Sequence, residues 1–170
     1  MRDDRSSQSP LVRPYAAGSP RTCIAQAGAI CYRTAADGTL EVLLVASRRN
    51  GRWGVPKGCI EAGERSGAAA AREALEEAGV RGTVSTAAIG AFVYSKDGSG
   101  ISYHLAIHLL EVTETLADFP EKKTRRLRWA PFETAVKDVS HPRIRDLLLS
   151  SIGSPRDRRS LMDPPDVLLA

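Results

Sequence analysis

The stretch that decides the fold is Trp53 to Val80, WGVPKGCIEAGERSGAAAAREALEEAGV. A glycine-bearing loop runs into an alanine-rich segment, Arg65 to Ala78, which predicts a helix stopped by Gly79 as its left-handed C′ residue. At about 100° per residue, Glu73, Glu76 and Glu77 share one sector of a helical wheel. Ala68, Ala71, Leu75 and Ala78 fall on the opposite side. The spacing predicts a helix that lays a small-residue stripe on a sheet and raises three carboxylates off it.

Those carboxylates are poorly placed for helix stability. Glu73 and Glu77 form a like-charge i,i+4 pair. Glu76 and Glu77 also sit in the last turn, where the helix dipole disfavours anions. Arg72 can reach Glu76 at i,i+4 in the weaker orientation. A divalent cation would offset the arrangement, because hard oxygen ligands at i and i+3 or i+4 suit Mg²⁺ or Mn²⁺. The loop agrees with that reading. Gly54, Gly58, Gly63 and Gly67 allow close backbone approach, Pro56 stiffens the entry, and the Lys57 carbonyl is one more candidate oxygen ligand. A solvated acidic face on an ordinary helix is the competing reading of the glutamates alone.

Outward from the loop, Ile24 to Arg33 and Glu41 to Ser47 read as strands joined at Asp37-Gly38. Gly82 to Tyr94 and Ile101 to Val112 are rich in β-branched and aromatic residues, with Asp97-Gly98-Ser99-Gly100 between them as a hairpin turn or flap. Arg125 to Trp129 reads as a short strand, and Pro131 to Val139 and Pro142 to Ile152 as two closing helices. Mixed β, one helix, more β and then helices predicts an α/β sandwich with a mixed sheet. Residues 1 to 21, rich in Ser, Pro, Arg and Asp, read as a mobile arm, 22 to 152 as the domain, and 153 to 170 as a second tail.

Gly58, Glu64, Arg72-Glu73-Ala74, Glu76-Glu77 and Gly79-Val80 stand at the spacing of the Nudix box, and the chain resembles the Nudix hydrolases. Ala74 is smaller than the usual aliphatic there, which bears on packing. The resemblance implies the Nudix α/β/α sandwich with a central catalytic loop and helix. It also implies metal-dependent cleavage of a phosphoanhydride bond. By the same resemblance, Glu73, Glu77 and the Lys57 carbonyl are metal ligands with Mg²⁺ or Mn²⁺ as cofactor, and Glu76 is a ligand or the base that activates water. Glu64 is an additional metal group or one that acts from behind the ligands, and Arg72 and Gly79 are structural. An activated water needs no thiol, so Cys59 reads as incidental.

Arg33 through Arg145 resembles the diphosphoinositol polyphosphate phosphohydrolase branch, through EVLLVASRRNGRWGVPKG, EEAGVRG and HLLEVTETLADFPEKKTRRLRWAPFETA. That branch implies diphosphoinositol polyphosphates or diadenosine polyphosphates as substrates. Arg48, Lys57, Gly58 and Arg125 are then substrate-side residues, with Arg49, Arg52, Lys122, Lys123, Arg126 and Arg128 as further cations. A solvated basic edge is the competing reading of 122 to 128. Lys96-Asp97-Gly98-Ser99-Gly100 departs from the basic cluster of the branch, which weakens the inositol reading. Tyr94, Tyr103 and Phe92 are the aromatic candidates for a base, and His104 and His141 read as packing. Hydrolysis of nucleoside triphosphates or RNA 5′ ends is the alternative within the family. A non-catalytic, ligand-sensing Nudix module is the alternative outside enzymology.

The whole-chain numbers bound these readings. A chain of 170 residues suffices for one core. Three cysteines cannot all pair within it, which suggests reduced thiols in a cytoplasm. No apolar run approaches a membrane span and the first 20 residues lack an apolar signal region, so neither a membrane nor secretion is expected. A net charge of +4 suits any polyanionic ligand, so nucleic acid is not the expected partner; a small polyphosphate is.

Overall fold

The computed structural model describes residues 23–95 and 100–152. Its organising element is β1, Cys23–Thr34, whose middle is buried on both faces. Successive side chains of a strand point to opposite faces. Ile30 and Tyr32 therefore enter one core with Leu44, Phe92, Ile107 and Leu148, while Ala27, Ala29 and Cys31 enter another with Leu43, Ala70 and Ala74. Two cores on two faces of one sheet make the chain a three-layer sandwich.

On one edge of β1 lies β7, Ser102–Thr115, in parallel register from Cys23↔Ser102 to Tyr32↔Glu111. On the other edge lie β2, Leu40–Ala46, and β4, Lys57–Cys59, both antiparallel. Strand β3, Trp53–Gly54, and strand β8, Leu127–Pro131, each pair with β2. Helix α1, Ser66–Ala78, covers the small-residue face. Helices α2, Phe132–Asp138, and α3, Pro142–Ser151, cover the other through Ala135, Ile144 and Leu148. The mixed-sheet expectation holds.

The stretch from Gly82 to Tyr94 divides into β5, Val80–Val84, and β6, Gly90–Ser95. Both run antiparallel to β7, β5 beside its end and β6 beside its start. Ser85 and Ile89 also hydrogen-bond Leu109 and Ile107 of β7, so the two strands are one track interrupted at 86–88. The Ser85 hydroxyl fills the gap by accepting the Leu109 N–H at 3.1 Å. Asp97-Gly98-Ser99, the arm over 1–21 and the tail over 153–170 lie outside the described residues.

The face of α1 differs from the sequence expectation. Its buried residues are Ala69, Ala70, Glu73, Ala74, Glu77 and Ala78, while Ala68 is exposed and Ala71 and Leu75 are half-buried. Glu73 and Glu77 thus point inward on the edge of the packing stripe. Two alanine stripes fit the same segment, and the wheel alone cannot choose between them. The close approach of α1 to Ala27 and Ala29 selects the one containing Ala70 and Ala74. Gly79 ends the helix at φ 64° with its N–H on the Leu75 carbonyl at 3.0 Å, as expected of a C′ glycine.

Candidate active site

The loop between β4 and α1 is held by carboxylates on its own backbone. Glu64 accepts the Glu61 N–H at 3.0 Å, and Glu77 accepts the Lys57 N–H at 3.3 Å. Glu73 lies over Gly58, where a Cβ would stand 2.0 Å from its Oε1. The glycine at that position is therefore needed for contact with a carboxylate.

Arg72 is the hub of the carboxylates. It donates to Glu64 at 3.0 Å, to Glu73 at 2.8 Å and to Glu76 at 3.4 Å, and to the Cys59 carbonyl at 2.8 Å. Glu77 turns the other way and pairs with Arg125, both side chains being more than 90% buried. Burial pushes the Glu77 carboxyl up to about 7, and it outweighs the opposing pull of Arg125 and Lys57. Burial also raises Glu73 against the pull of Arg72, whereas hydrogen bonds from Arg72 lower Glu64.

The structure brings Arg48, Lys57, Glu77 and Arg125 to one cavity of about 380 Å³, together with Arg49 and Gln26. A second cavity of about 410 Å³ shares Arg49, Lys57 and Tyr94 with the first and adds Trp53, Phe92 and His141. A cationic chamber over a site glutamate thus opens beside an aromatic one. Phe92 stacks on His141 with centroids 4.5 Å apart, and Tyr94 on Tyr103 at 5.2 Å. The Tyr94 hydroxyl donates to Gln26 at 2.6 Å.

The basic run is a solvated edge only in part: Lys122, Lys123 and Arg126 are exposed, and β8 pairs with β2 alone among the described strands, but the arginines also make specific contacts. Arg125 lies in a turn before β8 and is buried, Arg128 pairs with Asp138, and Arg126 and Arg128 lie over the Trp53 ring at 5.3 and 4.7 Å. His104 is exposed on β7, opposite Val93. Sequence reasoning missed Gln26, Trp53 and Glu121. Local sequence does not single out Glu121 beside Lys122-Lys123. In the structure it pairs with Arg125 at 2.6 Å and Arg48 at 3.8 Å. Only the contact across the fold distinguishes it.

The NUDIX domain model matches residues 25–149. The chain belongs to the Nudix family. A bovine diphosphoinositol polyphosphate phosphohydrolase 3-beta is 34% identical over 147 residues, covering 82% of this chain and 86% of that one. The human 3-alpha enzyme is 37% identical over 115 residues, 66% of each chain. A binary complex of the C. elegans Ap4A hydrolase superposes with TM-score 0.57 at 25% identity, covering 81% of this chain and 96% of that one. This Nudix chain is a hydrolase of phosphoanhydride bonds, and its box carboxylates are the ones gathered around Arg72 and Arg125.

The donors fit a divalent cation in chemistry. They are hard oxygens, Glu73 sits in a cradle that only glycine leaves open, and each carboxylate is already met by a cationic side chain. Among the described residues, no three His, Cys, Asp or Glu side chains converge as a ready ligand set. Arg72 draws Glu64, Glu73 and Glu76 one way, and Arg125 draws Glu77 the other.

Proposed function

We propose that residues 22–152 form a Mg²⁺- or Mn²⁺-dependent pyrophosphohydrolase acting on a substrate with more than two linked phosphates, with diadenosine polyphosphates as the favoured class. The observation that carries the reading is the cationic cavity that Arg48, Arg49, Lys57 and Arg125 line together with Glu77. The adjoining chamber with Trp53, Phe92, Tyr94 and His141 suits a planar base at the end of such a chain. Diphosphoinositol polyphosphates are the second reading, favoured by the names of the bovine and human relatives.

Glu73, Glu77 and the Lys57 carbonyl would hold the ion, with Glu76 as a further ligand or the base and Glu64 as an added metal group. A bound ion of this kind neutralises phosphate oxygens and lowers the pKa of a water. The chain supplies the rest. Arg48, Lys57 and Arg125 grip the phosphates that are not cleaved. A box glutamate within hydrogen-bond reach of the attacking water takes its proton. Arg72 holds Glu64, Glu73 and Glu76 in register. The three unpaired thiols suit a cytoplasmic location, and among the described residues no helix is long and apolar enough to cross a membrane.

The test is hydrolysis of a panel with Mg²⁺ or Mn²⁺ and product identification. The panel holds diadenosine polyphosphates, diphosphoinositols, nucleoside triphosphates, sugar nucleotides and capped RNA. Preference for diadenosine polyphosphates supports the reading. Preference for triphosphates or RNA ends moves the chain to another Nudix activity, and no turnover of any member supports a ligand-sensing module.

A further inference from the structure

We infer that Glu121 is a positioning residue for substrate binding, which acts by holding the guanidinium groups of Arg48 and Arg125 at the mouth of the phosphate cavity. The inference rests on the polyphosphate reading above and deepens it.

Glu121 lies in the turn before β8 and presents one carboxylate oxygen to each arginine. Oε2 accepts the Arg125 Nε at 2.6 Å, and Oε1 pairs with the Arg48 Nη1 at 3.8 Å. Its backbone is pinned on both sides. The Glu121 N–H donates to the Glu76 carbonyl of α1 at 3.0 Å, and the Glu121 carbonyl accepts the Thr124 and Arg125 N–H groups at 2.9 and 3.1 Å. The carboxylate is thus fixed to the helix that carries the box glutamates.

The sheet gives such a counter-ion a task beyond the Arg125–Glu77 pair. Val45 pairs with Leu127, and the Ala46 N–H bonds the Arg126 carbonyl, so Arg48 and Arg125 emerge at the same end of neighbouring strands. Two guanidinium groups brought together this way repel. A carboxylate between them removes the repulsion and cuts the freedom each arginine loses when it takes a phosphate. Both arginines line the cavity that also contains Glu77.

The inference makes a prediction opposite in sign to simple charge counting. Removing an anion beside a polyanion site should tighten substrate binding. If Glu121 positions the arginines, Glu121→Gln instead raises KM for diadenosine tetraphosphate about tenfold, the size of one lost charge-assisted contact, with a smaller change in kcat. Mn²⁺ binding by calorimetry persists in Glu121→Gln, because Glu121 reaches the proposed ligands only through Arg125 and through space. In an Arg48→Ala background the KM effect of Glu121→Gln shrinks, since one of its two clients is gone.

Should Glu121→Gln fail to fold, Glu121→Asp keeps the charge with a shorter reach and raises KM by a smaller factor. An unchanged or lowered KM in the folded variant overturns the inference. So does a loss of Mn²⁺ binding with collapse of kcat, which would make Glu121 a metal ligand, or full additivity with Arg48→Ala. Should the wild type not cleave diadenosine tetraphosphate, the substrate reading fails separately. Calorimetry with inorganic tripolyphosphate then decides the inference, with weaker binding to Glu121→Gln expected and equal or tighter binding contradicting it.

Discussion

Gly58 and Glu73 show how much rests on one missing methyl group. A Cβ at residue 58 would stand 2.0 Å from the Glu73 Oε1 and 2.2 Å from its Cδ. Gly58→Ala therefore displaces the carboxylate while the fold has room to persist. A misplacement of about 1 Å costs on the order of a hundredfold in turnover. Steady-state kinetics with a circular dichroism control checks this, and wild-type kcat in a folded variant would contradict it. The residue types of the site were legible in the sequence, because three glutamates and a glycine loop have few other uses together. Their partners were not. Arg125 meets Glu77, and Glu121 meets Arg48, only through strand pairing across the sheet. The helical wheel also hid that Glu73 and Glu77 are buried.

Helix α1 is fastened at both ends by residues outside the box. Its N-cap, Arg65, makes no side-chain cap, yet Ser66 in the first turn bonds His108 Nε2 at 3.0 Å. His108 is 2% exposed on β7, and its Nδ1 faces the Ser85 carbonyl at 3.2 Å. Burial holds the imidazole below its ordinary 6.5. In the unfolded chain this histidine takes up a proton near 6.5, whereas in the fold it does so only at lower pH. The unfolded state then binds more protons in that window, so stability is full above about 6.5 and falls as pH drops through the folded value. Melting of wild type and His108→Gln between pH 8 and pH 5 checks this. The wild type should lose more stability than the variant, and parallel curves would count against it. At the other end, a Cβ on Gly79 would need a positive φ and would lie 2.3 Å from the Phe119 ring. Gly79→Ala should cost more than about 1 kcal/mol in denaturant unfolding, and a neutral change would show that Phe119 yields. Strand and helix existence was legible from periodicity. The break at 86–88 was not, because it answers to Leu109 and Ile107 on β7.

At the scale of the molecule, one sheet with unlike faces explains where chemistry can occur. Under α1 the alanines of the helix meet Ala27 and Ala29 of β1, so the helix lies close and its glutamates reach the loop at β4. The face under α2 and α3 carries larger side chains, and the aromatic chamber opens beside them. The layered fold was legible from the order of elements, while the junction of the two cavities depended on tertiary placement of Tyr94 and Lys57. An ion that binds only the folded site should stabilise the whole chain, by about 2.7 kcal/mol at a hundredfold excess over Kd. Thermal melts with millimolar Mn²⁺ should shift upward, and an unmoved Tm would argue against a formed site. The central claim is metal-dependent hydrolysis directed by the box carboxylates. It is tested most directly by product-resolved turnover of diadenosine tetraphosphate by wild type and Glu77→Gln, with Mg²⁺ and with chelator. The account predicts turnover by wild type with Mg²⁺ only, and a loss of about 10²- to 10⁴-fold in folded Glu77→Gln. Equal rates in the two proteins, or turnover that survives the chelator, would contradict it.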